Sequence, residues 1–210
     1  MKRVVSHWAH VQAEPGAWLP PEQFDVAGRS LLDLLESQPL ALFDNNQVRY
    51  LSGAAEYDGM TLTSRMEKGD LQKALDAVHG GLLAAPVDDF DAALLWWAHE
   101  LDWSAPYYRR INVRKKGAAY LQLTASELSA LESWNRLDAS LVEEVGVVFR
   151  EKIVELEKKT GLPIDQQREA FRRRNESPAV QARLLMHTAS RGLKHPIRAL
   201  RSVKRQVTSR

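Results

Sequence analysis

Thr124-Ala-Ser-Glu127 is a helix start, and it governs how the second half of this chain can fold. A threonine followed three residues later by a glutamate lets each side chain bond a backbone N–H that the first helical turn leaves bare. The apolar residues that follow, Leu128, Leu131, Trp134, Leu141, Val145 and Val148, recur at helical spacing. The pattern predicts one long amphipathic helix, ended by Gly161 and Pro163.

Other stretches give the same period. Val4, Val5, Trp8 and Val11 predict a helix from Met1 to about Ala13, stopped by Glu14-Pro15-Gly16. Ser30–Ser37 reads as a short amphipathic helix, and Phe43–Gly53 as a turn or helix ending at a glycine. Asp70 is expected to cap a helix running through Val78 to Gly80-Gly81, and Asp88 or Asp89 one running to Trp103. Ile164 to Asn175 is expected to form a last helix. The apolar run Leu82–Val87 is a candidate strand. The expected fold class is mainly α, with at most one or two short strands.

The chain has 210 residues, enough for one domain or one domain with a tail, and the expected division is 1–163 and 164–210. Its 44% apolar content and six tryptophans favour a globular protein. No apolar run approaches the roughly 20 residues that span a bilayer. Met1–Gln12 does not resemble a secretion signal, so the expected location is cytoplasmic, with a peripheral place at a membrane left open. Cysteine is absent, which excludes disulfides and thiolate metal sites.

The net charge of +2 hides a segregation. From Arg168 to Arg210 there are 12 Lys/Arg against Glu169 and Glu176, while the remainder carries 17 basic and 25 acidic residues. An acidic body with a basic tail suggests an anionic partner, an anionic lipid or glycan. No helix-turn-helix, zinc-finger or aromatic RNA-binding pattern accompanies the charge, which argues against nucleic acid.

Several short segments, in order, resemble the carbohydrate sulfotransferases of the heparan and chondroitin type. They are Arg3-Val-Val-Ser6-His-Trp8, then Asp44-Asn-Asn-Gln-Val-Arg-Tyr-Leu-Ser-Gly53, and then Leu83–Leu94 with Asp102-Trp103. Asn112-Val113 and Leu128–Asp138 complete the series. The resemblance covers roughly Met1 to Leu156, and the shared order of the segments is its specific part. It implies the helical C-terminal portion of an α/β P-loop-like sulfotransferase fold. The implied reaction is transfer of sulfuryl from 3′-phosphoadenosine 5′-phosphosulfate to a hydroxyl or amine of a carbohydrate acceptor. Such transfers work by positioning and by stabilising spreading negative charge.

The glycine-rich phosphosulfate loop of that family, and its usual catalytic base, have no counterpart in this sequence. The catalytic residue is therefore unassigned, and a complete site is expected to need an upstream half or a partner chain. The resemblance places Ser6, with Arg3 beside it, at the 3′-phosphate. Arg114-Lys115-Lys116-Gly117 is a candidate cofactor-binding loop, since cations beside a glycine let charge and backbone approach an anion together. Asn45, Gln47 and Arg49 either present polar groups to the nucleotide or acceptor, or satisfy loop carbonyls. His7 and His10 lack a third ligand, and no metal is expected. Trp96, Trp97 and Trp103 either stack on sugar or belong to the core. The alternative to an enzyme is a non-catalytic remnant that binds an anionic glycan or lipid head group through its basic loop and tail.

Overall fold

The computed structural model of the protein describes residues 29–37, 41–54, 64–103, 106–108, 123–184 and 186. The chain is mainly α, and no strand occurs among the described residues. The expected helix over Met1–Ala13 lies outside them, as does the tail beyond residue 186. The helices are α1 (Leu31–Ser37), α2 (Asn46–Leu51), α3 (Lys68–His79), α4 (Phe90–Glu100), α5 (Ala125–Trp134), α6 (Arg136–Thr160) and α7 (Ile164–Asn175), and residues 178–184 and 186 are helical as well. Short 3-10 turns, Ala41–Phe43 and Val87–Asp89, lead into α2 and α4.

The capping box is present. Glu127 donates its backbone N–H to the Thr124 hydroxyl at 3.2 Å, and Thr124 returns its own to the Glu127 carboxylate at 2.9 Å. The predicted single long helix, however, is two helices, divided at Asn135. The Asn135 amide donates back to the Leu131 carbonyl at 2.9 Å and outward to the Phe43 carbonyl at 3.0 Å. Its backbone, at φ −113° and ψ 23°, leaves the helical path, and α6 begins at the next residue.

Three further expectations need correction. Asp70 is not the cap of α3: Glu67 holds that position, and Asp70 accepts its N–H from the third helical residue at 3.1 Å. Helix α4 stops at Glu100, short of Trp103, because Asp102 takes a left-handed φ of 50° and Trp103 N–H closes onto the Ala98 carbonyl at 2.8 Å. Gly81, at φ 104°, closes α3 the same way, with Leu82 N–H on the Ala77 carbonyl at 3.1 Å. No strand forms over Leu82–Val87: Leu82 to Pro86 are irregular, and Val87 opens the 3-10 turn. A strand needs a neighbour for its backbone groups, and no described segment lies alongside as one.

The described residues form two compact units, one from residues up to 86 with 123–151, the other from 87–108 with 152–186. In the first, Val48, Met66, Ala74, Val78, Leu137, Leu141 and Val145 make a buried cluster, flanked by Leu51, Leu71, Leu75, Ala84 and Val148. These residues bring together α2, α3 and the first turns of α6. Helix α1 packs on α5 with Leu31 and Leu34 fully buried, and Leu31 N–H reaches the Glu127 carboxylate at 3.3 Å. In the second unit α4 packs on α7. Phe90 meets Tyr108 edge-on at 5.1 Å, and Tyr108 stacks on Phe171 at 6.1 Å. Trp96 is in the core, whereas Trp103 is half exposed.

Leu141, 1% exposed, is the test of the first core. Leu141→Ala is expected to lower unfolding free energy by about 3 kcal/mol, the usual cost of a buried leucine truncation. Urea denaturation of the two proteins side by side measures it, and a loss below about 1 kcal/mol would contradict the packing described.

Candidate functional site

The polar centre of the first unit is Asp44, whose side chain is fully buried. A buried carboxylate needs donors on each of its lone pairs, about four in all. It has them. Arg49 Nη2 (2.9 Å) and Met66 N–H (2.8 Å) donate to Oδ2, while Arg65 Nε (2.9 Å) and Asn45 Nδ2 (3.2 Å) donate to Oδ1. The Arg49 guanidinium is nearly as buried, and it also donates to the Ser64 carbonyl at 2.8 Å. Arg65 is half exposed, with its guanidinium 3.7 Å from the centroid of the Trp134 ring, a cation–π contact.

Around this ion pair two helix starts exchange caps. Asn45 sits at the N-cap of α2 in a left-handed conformation, φ 45° and ψ 52°, which asparagine tolerates better than most residues. Its side-chain oxygen does not cap its own helix. It accepts the N–H groups of Leu137 (2.8 Å) and Asp138 (3.0 Å) in the first turn of α6. Asp138 in turn accepts the N–H groups of Gln47 (3.1 Å) and Val48 (2.8 Å) in the first turn of α2. Burial pushes the Asp138 carboxyl above its ordinary pKa, the two amide donors oppose that, and the nearby Asp44 charge adds to it.

The structure thus brings Asn45, Gln47 and Arg49 together in one place, engaged in distinct ways. Asn45 and Arg49 are buried with their side chains committed to the fold, whereas Gln47 uses its backbone N–H and leaves its side chain exposed. Arg3, Ser6, Arg114, Lys115, Lys116 and Gly117 lie outside the described residues, as do His7 and His10. Sequence reading did not single out Arg65, Lys68, Ser133 and Arg136, which line an open cleft of about 440 Å³ with Asn45, Met66, Glu67, Gly69 and Leu137. They come from separate stretches of chain, and no linear motif joins them.

The second unit has its own polar knot. Asp91, buried on α4, accepts the Tyr108 hydroxyl at 2.7 Å and the Arg172 guanidinium of α7, while Asn175 accepts Tyr108 N–H at 3.0 Å. Burial works against the Asp91 charge, but the Tyr108 and Arg172 hydrogen bonds, with the charges of Arg172 and Arg168, hold its pKa below the ordinary value. Asp89 faces Arg168 at 3.8 Å. Among the described residues no group of three or more His, Cys, Asp or Glu side chains is placed to hold a metal ion, and no helix is long and apolar enough to cross a membrane. Comparison of the chain with models of protein families, with curated proteins and with solved structures finds no match.

Two outcomes follow from this geometry. Asn45→Ala and Asp138→Ala each strip two buried N–H groups of their acceptor, at an expected cost of about 2 kcal/mol. Because the caps share one interface, the double variant should cost less than the two losses added, a non-additivity readable in a double-mutant cycle by urea denaturation. Asp91 sets an acid limit. Its depressed pKa contributes stability that is complete above the unfolded carboxylate pKa and is lost as pH falls through the folded value. Thermal melts between pH 2 and 6 should show a shallower acid decline in Asp91→Asn than in the parent; identical slopes would remove Asp91 from the account.

Proposed function

We propose that this chain is a sulfotransferase-type protein that transfers sulfuryl from 3′-phosphoadenosine 5′-phosphosulfate to a hydroxyl or amine, with a carbohydrate as acceptor. The observation that carries the reading is the cap exchange. Segments 44–53 and 128–138, on which much of the resemblance rests, lie some 90 residues apart and supply each other's helix starts. The polar residues of the two segments form one interlocked feature, which supports reading them together.

In this reading Arg3 and Ser6 hold the 3′-phosphate, and Arg114-Lys115-Lys116-Gly117 closes over an anionic group by charge and backbone N–H. Asn45 and Arg49 fix the frame, and Gln47 offers its exposed amide to acceptor hydroxyls. The helical region described is then the C-terminal part of an α/β P-loop-like domain, whose phosphosulfate loop and catalytic base come from an upstream half or a partner chain. The setting is cytoplasmic, with the basic tail able to rest on an anionic membrane surface. The charge segregation favours a second reading, a non-catalytic protein that binds an anionic glycan or lipid head group through residues 114–117 and the tail.

Calorimetric titration of the full chain with adenosine 3′,5′-bisphosphate separates the two. The sulfotransferase reading expects saturable binding that Ser6→Ala and Arg3→Ala each weaken about tenfold, the worth of one charge-assisted contact. Absence of nucleotide binding, together with polyanion binding that fades steeply between low and high salt, would replace it with the second reading.

A further inference from the structure

Helix α6 is continuous over 25 residues and buries one side of itself, with Leu137, Leu141, Val145, Phe149 and Leu156 on that side. At roughly 100° per residue, Glu143, Val147, Arg150, Val154 and Lys158 fall on the opposite face, with Glu151 at its edge, and all are exposed. Val147 and Val154 are 37% and 48% exposed and stand one heptad apart, the repeat of a helix–helix seam. Valine is ill suited to the water side of a helix: branching at Cβ restricts its rotamers there, and no burial offsets the loss. The charged side chains around the valines, Glu143, Arg150, Glu151 and Lys158, form no ion pair or hydrogen bond among the described residues.

We infer that this face is a self-association surface, on which α6 of a second copy of the chain packs antiparallel. The charges select both partner and direction. A parallel pair would set Glu143 against Glu143, Arg150 against Arg150 and Lys158 against Lys158, like charges throughout. An antiparallel pair with its two-fold axis level with Arg150 and Glu151 sets Val147 against the second copy's Val154. The same axis sets Glu143 against the second copy's Lys158 and Arg150 against its Glu151, and each contact occurs twice. An isologous interface requires this reciprocity, so the face is complementary to itself. Flanking charges are engaged within the chain: Glu155 pairs with Lys152 at 2.9 Å, Lys159 with Glu100 at 3.3 Å, and Glu144 faces His79 at 3.3 Å. The matched span, Glu143 to Lys158, is about 22 Å of helix. So small a contact makes a weak dimer, with Kd on the order of 10 µM. The face uses none of the residues assigned to nucleotide or acceptor, so it stands whether or not the chain transfers sulfuryl.

The chain has no cysteine, so introduced thiols report the pairing directly. Val147→Cys and Val154→Cys, made as separate full-length proteins, are mixed well above the expected Kd and mildly oxidised. The antiparallel pair brings unlike thiols together and holds like ones about 10 Å apart along the helix axis, beyond the reach of a disulfide. The mixture should therefore cross-link, and each variant alone should not. Sedimentation equilibrium of the unsubstituted chain gives the affinity. Lys158→Glu and Glu143→Lys should each weaken the dimer at least about tenfold by setting like charges together. The double variant restores both attractions and should return to within about threefold of the parent. Unfolding midpoints should stay near the parent's, since neither side chain is paired among the described residues. A chain that remains monomeric at about 1 mM would overturn the surface, as would unchanged affinity in both charge reversals. Cross-linking of either cysteine variant with itself would overturn the antiparallel order, and a double variant as weak as the single ones would overturn the pairing of Glu143 with Lys158.

Discussion

Taking a carboxylate out of water costs several kcal/mol unless its oxygens are fully engaged, and the first unit is arranged around meeting that demand at Asp44. Its donors come from the residue beside it, from the helix that follows, and from a segment about 20 residues on. Each donor fixes something else. Arg49 ties α2 to the Ser64 carbonyl, Met66 brings its side chain into the apolar cluster, and Arg65 is laid across Trp134 at the end of α5. Removing one partner of such an arrangement strands charge in a dry place, so the cluster acts as a switch between formed and unformed rather than as a set of separable contacts.

The cap exchange extends that logic to helices. An isolated six-residue helix such as α2 is unstable in water, because nucleation fixes several residues for one hydrogen bond. Here its orphan donors are met by a carboxylate on α6, while its own N-cap residue serves α6. Apolar burial of Val48, Leu137 and Leu141 supplies driving force, and the caps supply register, since they hold only when both helices start at these residues.

Much of the helical layout was legible from period and punctuation. Thr124 with Glu127, Gly81, Gly161 and the stripe from Leu128 to Val148 have local causes, and local causes can be read in a line of letters. The division at Asn135 was masked by an apolar stripe that runs on across it. The signal lay in Asn135 and Asp138, helix-start residue types in the middle of an apparently continuous helix. Leu82–Val87 failed for another reason: apolar runs show only that a segment is covered, and a strand also needs a neighbour. Asn45, Gln47 and Arg49 stood out as polar residues in a motif, but composition could not say that two of their side chains point inward. The cleft of Arg65, Lys68, Ser133 and Arg136 is a product of tertiary approach alone.

The distance in sequence between the exchanged caps bears on how the protein comes into being. Val48 leaves the ribosome 90 residues before the Asp138 carboxylate that accepts its N–H. At about 5–20 residues per second, that is a delay of several seconds or more. Throughout it the start of α2 has only water to satisfy it, and Asp44 lies beside a helix that cannot yet hold its shape. The first unit therefore has to complete itself late, after residues 87–108 of the other unit have been made. A nascent chain of this kind keeps the apolar surface of its first unit uncovered until the start of α6 has been made.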